Sequence, residues 1–252
     1  MTFAARYPDL EDKAVLVTGA SSGIGLACAR LFLASGARVA AHFRSGEGVV
    51  RDLAREAPEG IFPVRADLSE EAGCVTLCRE ATERLGGLDV LVHSAGIWTD
   101  GSIRSLARET LETMFRTNTF SSFYLAREVA NRMGKGSLVF IGSTAGQRGE
   151  PEHSHYAGSK GAVQSMVYSL AQELAPAIRV NLVSPGWVRT PMSRQALEER
   201  ESAIVSAVPL RRVAEAEDVA GAALFLASDA SRHLTGQDIC CSGGALLPMP
   251  RG

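Results

Sequence analysis

The sequence predicts a doubly wound α/β fold on one parallel sheet of about seven strands, and three observations carry that prediction. Short β-branched runs alternate with longer helix-period patterns from near the first residue to near the last. Several of the runs are apolar without interruption, as in Val15-Leu16-Val17 and Leu138-Val139-Phe140-Ile141, the form a strand takes when helices cover both faces of its sheet. No stretch is biased enough in Pro, Gly, Ser or charge to act as a hinge, so the 252 residues read as a single domain.

In chain order the expected strands are Ala14–Thr18, Arg38–Phe43, Ile61–Arg65, Asp89–His93, Ser137–Ile141, Arg179–Val183 and Gln237–Cys240, each a short run rich in apolar or β-branched residues. Helices are expected between them. The segment from about Thr190 to Arg212 follows Pro185-Gly186, contains the charged cluster Gln195–Glu201 and is expected as an inserted lid.

Composition excludes several classes. Hydrophobic residues make up 46% and charged residues 21%, a globular balance that rules out a wholly disordered or fibrous chain. With 26 basic against 28 acidic residues the net charge is -2, too small to attract nucleic acid. Met1–Lys13 carries Arg6, Asp9, Glu11 and Asp12 and lacks the apolar core of a secretory signal. Every other apolar run stops short of the roughly 18 residues that cross a bilayer. A cytoplasmic protein without a membrane partner is the expectation. The five cysteines (Cys28, Cys74, Cys78, Cys240, Cys241) match no zinc or redox spacing, are expected as reduced packing residues, and imply no metal.

Thr18-Gly19-Ala20-Ser21-Ser22-Gly23-Ile24-Gly25 lies between the first strand and a helical pattern. Glycines there allow a tight turn, let a pyrophosphate approach without a Cβ in the way and seat the helix close to the sheet, while the helix N-terminus points free N–H groups at the phosphates. The context makes this a Rossmann-type dinucleotide turn. A methyltransferase or a nucleotide-binding regulatory domain shares such a topology, so other residues must decide the chemistry.

Tyr156 and Lys160 are four residues apart in a helical pattern, which brings them to nearly the same face about 6 Å apart along the axis. An ammonium near a phenol is expected to lower its pKa, giving a group that exchanges a proton with a carbonyl or alcohol oxygen. Chance produces this spacing in roughly one such chain in twenty. However, Lys160 is the only charged residue between Ser154 and Gln172, and a lone lysine in a buried helix needs a reason. Ser143 follows the strand ending at Ile141, at the carboxyl end where ligands bind.

With its T-G-x-x-x-G-x-G turn and Y-x-x-x-K pair, the chain resembles the short-chain dehydrogenase/reductase family. The resemblance implies a catalytic tetrad of Asn118, Ser143, Tyr156 and Lys160, with Lys160 also holding the nicotinamide ribose and Asn118 supporting Lys160. It implies a cofactor site made of the turn residues Gly19, Ser21, Ser22, Gly23, Ile24 and Gly25, of Asp67 and Leu68 at the adenine, and of Ser94, Ala95 and Gly96. Pro185 and Gly186 of an N-x-x-x-P-G stretch, Val188, and Thr190 at the nicotinamide complete that site, with Tyr156 and Lys160. Leu234-Thr235-Gly236-Gln237 and Gly243-Gly244 match the family's closing motif. One departure stands out: His93-Ser94-Ala95-Gly96 replaces the usual N-N-A-G. His93 is expected as a packed, hydrogen-bonded residue, and His153 and His155 as solvated loop residues beside Tyr156, with a place at the substrate entrance as the alternative and no catalytic role.

The implied activity is hydride transfer between a nicotinamide cofactor and a carbonyl or secondary alcohol, a 3-oxoacyl-thioester-like ketone among them. Two alternatives stand beside it, an NAD-dependent alcohol or sugar dehydrogenase working in the oxidative direction and a non-catalytic dinucleotide-binding sensor. NADP is favoured over NAD because Phe43 stands where the family's ribose-binding acid would be, while Arg44 and Ser45 can meet a 2′-phosphate. Glu47 is the residue that could reverse this choice. The segments expected to line the substrate pocket, Ile97–Arg104, Thr144–His155 and Trp187–Arg212, carry no diagnostic group. Broad apolar patterns in the Tyr156 helix and in the preceding one (Leu111, Met114, Phe115, Phe120, Phe123, Tyr124, Val129, Met133) predict a two-fold helix bundle between subunits, and the family resemblance implies a homotetramer with Gln237–Cys240 and Ala245–Pro250 at a second interface.

Overall fold

In the computed structural model, which describes residues 7–248, β1 (Ala14–Thr18) is buried along its whole length at the centre of a sheet. Beside it run β2 (Arg38–Phe43), β3 (Ile61–Arg65), β4 (Val90–His93), β5 (Gly136–Ile141), β6 (Ile178–Pro185) and, beyond the short strands β7 (Val188–Arg189) and β8 (Ala214–Glu215), β9 (Asp238–Cys241). The seven long strands are all parallel, in the order β3-β2-β1-β4-β5-β6-β9. The chain switches direction across the sheet between β1 and β4, and a crevice opens at their carboxyl ends.

Continuous apolar strands follow from two separate cores. Val15, Val17, Val39, Ala41, Val90 and Val92 pack on one face against α1 (Gly23–Ala34) and α9 (Ala216–Ala227), with α2 (Glu47–Glu56) contributing Val50 and Leu53. Ala14, Leu16, Leu91, Leu138 and Phe140 face the other way, toward α3 (Glu71–Leu85), α5 (Ser121–Ala130) and α7 (Ser154–Glu173). Side chains alternate between the faces of a strand, so both parities must be apolar when both faces are covered.

All seven expected strands form, β1, β2 and β3 with the expected bounds, while β6 continues to Pro185 and β9 is displaced by one residue. The β7–β8 ribbon was not anticipated, because two-residue strands carry no periodicity. It closes the base of the 190–212 segment, which contains α8 (Arg194–Ser206), whose Leu197 and Ile204 form a small cluster with Val213 just beyond the segment. Two further helices are α4 (Arg108–Phe115) and α6 (Thr144–Arg148).

Two expectations need correction. Cys28, Cys74 and Cys78 pack in the core, but Cys240 is exposed, because β9 is an edge strand with no neighbour on its outer side. Met114, Val129 and Met133 also point inward, so the outer apolar face reduces to Leu111, Phe120 and Phe123, joined by Tyr168 of α7. Residues 249–250 of the expected tail interface lie outside the described residues. Among the described residues no helix is long and apolar enough to cross a membrane.

Candidate active site

The glycine turn is shaped by what cannot fit there. Gly19 has φ +69°, and a Cβ on Gly25 would lie 2.3 Å from the Gly19 carbonyl oxygen, so α1 closes on the turn only with glycine at both positions. Ser22 precedes α1 without a side-chain cap, leaving the helix N-terminus with free N–H groups, and Ser21, Ser22, Gly23 and Ile24 line the crevice. This uncapped, acid-free first turn fits a pyrophosphate. Gly25 lies behind the crevice rather than in its wall.

His42 is a site residue that the sequence reading missed. Its Nδ1 accepts the Gly19 N–H at 3.1 Å, so the proton is on Nε2, which donates to the Ala66 carbonyl at 3.1 Å. The strand register carried the signal, since pairing Val17 with Ala41 sets the next residue of β2 against the turn. Burial pushes the His42 pKa down to about 4.

His93 is buried and hydrogen-bonded, as expected. Thr18 Oγ1 accepts the N–H groups of Ser94 and Ala95, both at 3.1 Å, and therefore donates its own proton to His93 Nδ1 at 2.8 Å. His93 Nε2–H then donates to Ser121 Oγ at 3.2 Å, and Ser121 to the Thr117 carbonyl at 2.6 Å. The imidazole thus fastens the Ser94–Gly96 wall of the crevice to the turn before α5. Burial, reinforced by Lys160 and His42, pushes its pKa down to about 3.

Asn118 sits in a π-helical turn, Arg116–Phe120, which no sequence period announces. Its Oδ1 accepts the Ile97 N–H at 2.8 Å, and its Nδ2 donates to the Ile97 carbonyl at 2.9 Å and to Ser159 Oγ at 3.1 Å. It is almost fully buried and holds the loop after β4 against α7 rather than lining the crevice. No direct bond joins it to Lys160. The two side chains converge at Gly96, where a Cβ would lie 3.2 Å from Asn118 Oδ1 and 3.5 Å from Lys160 Nζ.

Ser143, Tyr156 and Lys160 all line the crevice. Ser143 is two residues beyond β5 and its Oγ accepts the Ala145 N–H at 3.1 Å, which fixes the side chain as the cap of α6. Lys160 Nζ donates to the Ile141 carbonyl at 2.8 Å, and burial pushes its pKa down to about 8. The expectation that Lys160 lowers the Tyr156 pKa is not met. Burial raises the phenol to about 12, with Ser143 opposing the rise and Glu150 adding to it. Helical spacing set the side chains on one face, but desolvation outweighs the charge, which turns toward the end of β5.

On the adenosine side, Arg44, Ser45, Asp67 and Leu68 line the crevice. Asp67 accepts the backbone N–H and hydroxyl of Ser69 at 3.0 and 2.8 Å, which hold its pKa down. Phe43 is buried, and Glu47 pairs with Arg51 at 2.7 Å outside the crevice. On the opposite side lie Trp98, Glu150, Pro185, Gly186, Trp187, Val188 and Thr190, with Met192 beside them. Thr190 packs over the glycine turn, its Cγ2 lying 3.1 Å from where a Gly23 Cβ would be. His153 and His155 are buried clamps rather than solvated loop residues. His153 Nδ1–H donates to the Thr99 carbonyl at 3.0 Å, and His155 Nε2 is 3.1 Å from Thr99 Oγ1.

A dinucleotide turn at one end of the crevice and a serine, tyrosine and lysine at the other define a nicotinamide-dependent oxidoreductase. A family profile described as enoyl-(acyl carrier protein) reductase matches residues 19–245. The 3-oxoacyl-[acyl-carrier-protein] reductase of Thermotoga maritima is 36% identical over 245 residues, covering 94% of this chain and 99% of that protein. The acetoacetyl-CoA reductase of Allochromatium vinosum is 32% identical over 240 residues, 92% of this chain and 98% of that one. A short-chain dehydrogenase/reductase from Brucella melitensis, described as a glucose/ribitol dehydrogenase, superposes with a TM-score of 0.92 at 34% identity, covering 96% of this chain and all of that one. The chain belongs to the short-chain dehydrogenase/reductase family, and it is an enzyme that moves a hydride between a nicotinamide cofactor and a carbonyl or secondary alcohol.

Proposed function

We propose that the enzyme is an NADPH-dependent reductase of 3-oxoacyl-thioester-like ketones. The observation that carries this reading is that Ser143, Tyr156 and Lys160 line one crevice with the glycine turn, and burial favours the protonated form of the Tyr156 phenol. A protonated phenol is the form that gives a proton to a carbonyl oxygen as it becomes an alkoxide. Ser143 donates a hydrogen bond to the same oxygen, and Lys160 holds the cofactor ribose with Asn118 bracing the wall beside it. The nicotinamide supplies the hydride. Relatives named for 3-oxoacyl and acetoacetyl thioesters support the substrate class.

NADPH is favoured because Arg44 and Ser45 line the crevice while Glu47 is engaged by Arg51. In this reading Thr190–Ser193 cover the nicotinamide end as the leading edge of a lid spanning 190–212. The enzyme assembles as a homotetramer through the Leu111, Phe120, Phe123 and Tyr168 face and through the β9 edge. Five free cysteines fit a reducing compartment such as the cytoplasm.

The test is kcat/KM for acetoacetyl-thioester reduction with each cofactor, alongside a panel of sugars and polyols with the oxidised cofactors. Faster thioester reduction with NADPH is expected. Faster oxidation of a polyol with NAD would replace this reading with the oxidative one.

A further inference from the structure

The sheet order places β5 between β4 and β6, so the loops leaving β4 and β6 flank Ser143. Adjacent strands are about 4.8 Å apart, which puts β4 and β6 roughly 10 Å apart. Trp98 leaves the first loop and Trp187 the second, and both line the same crevice as Ser143 and Tyr156. Their ring centroids are 6.1 Å apart with the planes at 81°, an edge-to-face contact that joins the two loops across the end of β5. The indoles form an arch in the wall of the crevice that Ser143 and Tyr156 also line.

Neither indole is free to swing. Trp98 stacks on His153 at 4.4 Å, and its Nε1–H points to Glu150 Oε2 at 3.4 Å. The loop that carries it is fastened where the Gly101 N–H donates to the Glu152 carbonyl at 2.8 Å and His153 to that of Thr99. Trp187 packs on the cluster of Leu197, Ile204 and Val213, with the Arg200 guanidinium over its ring at 5.6 Å. With the 190–212 lid closed on Trp187, moving either ring breaks a stack or a polar contact, so this wall does not adapt as a flexible Met192 would.

We infer that the Trp98–Trp187 arch is a size filter on the ketone, admitting a carbonyl with a short, unbranched acyl substituent and rejecting longer ones. The inference rests on the ketone-reductase reading and names its substrate more narrowly. A wall that cannot yield turns each added methylene into a steric penalty, and single methylenes are commonly worth tenfold or more in kcat/KM.

The experiment compares kcat/KM for 3-oxobutanoyl, 3-oxohexanoyl and 3-oxooctanoyl thioesters of N-acetylcysteamine, and for the ethyl esters of the same acids, in the native chain and in Trp98→Ala, Trp187→Ala and Trp98→Phe. The native chain should prefer the shortest over the longest by at least about tenfold, and either alanine variant should reduce that ratio to about threefold or less. Trp98→Phe should fall between them. Each ratio is internal to one variant, so a loss of folded protein cancels. Where an alanine variant does not fold, the leucine variant replaces it. A native chain indifferent to length, or variants that keep the native ratio, would overturn the filter. Length discrimination among the esters with no thioester turnover would overturn the thioester reading and uphold the filter, and no turnover of either series would overturn both.

Discussion

The Thr18 hydroxyl donates to His93 Nδ1 at 2.8 Å, and this bond fixes the charge state of the ring. A proton on Nδ1 would face another donor, because both lone pairs of Thr18 Oγ1 already serve the Ser94 and Ala95 N–H groups. His42 is bound by the same logic through the Gly19 N–H. The unfolded chain therefore takes up protons near pH 6.5 that the folded chain refuses until about pH 4 at His42 and about pH 3 at His93. Stability should fall as pH drops below 6.5, with His93 alone costing about 3 kcal/mol by pH 4. Urea midpoints across this range should show a shallower fall for His93→Asn than for the native chain. Parallel curves would disprove the assignment.

Tyr156→Phe keeps the ring and removes the transferable proton. Turnover should drop by about two to four orders of magnitude while cofactor affinity stays within about threefold. Because the phenol titrates near 12, kcat/KM for reduction should show no loss from this group below about pH 10. An alkaline limb near neutrality that Tyr156→Phe abolishes would contradict this.

Lys160 behaves in the opposite sense. Burial brings its pKa down to about 8, so it is cationic at neutral pH and loses its charge above that value. The dissociation constant of NADPH should rise as pH passes 8, and Lys160→Met should bind more weakly but with a flatter pH dependence, as calorimetric titration can measure.

Arg44→Ala should lower kcat/KM for NADPH by about tenfold or more and change the value for NADH by less than about twofold, the loss expected for one charge-assisted hydrogen bond. Equal losses with both cofactors would assign Arg44 to the adenine instead of the 2′-phosphate.

Light scattering at micromolar concentration should give about four times the 26.7 kDa chain mass. Phe123→Glu, on the exposed face of α5, should lower that mass. A native mass near a single chain would refute the assembly.

Much of the fold was legible because both-face burial writes itself into strands such as β1, where every residue is apolar or a terminal threonine. The glycine turn, Ser143, Tyr156 and Lys160 were legible because local spacing fixes them. His42 was not, and the tryptophans were legible only as members of pocket-lining segments, since their contacts depend on partners brought by the fold: Gly19 for His42, His153 for Trp98 and Arg200 for Trp187. The Tyr156 pKa was misjudged for a related reason. Sequence shows that a lysine is near, but not how much water the fold removes or where the ammonium points.

The chain has only two tryptophans, Trp98 and Trp187, and both belong to the arch. Indole emission from this chain therefore originates at the wall of the crevice. Reduced nicotinamide absorbs where indole emits, so occupancy should appear as energy transfer, and displacement of one ring against the other as a change in quenching. The native chain carries an optical reporter of its own turnover without any label.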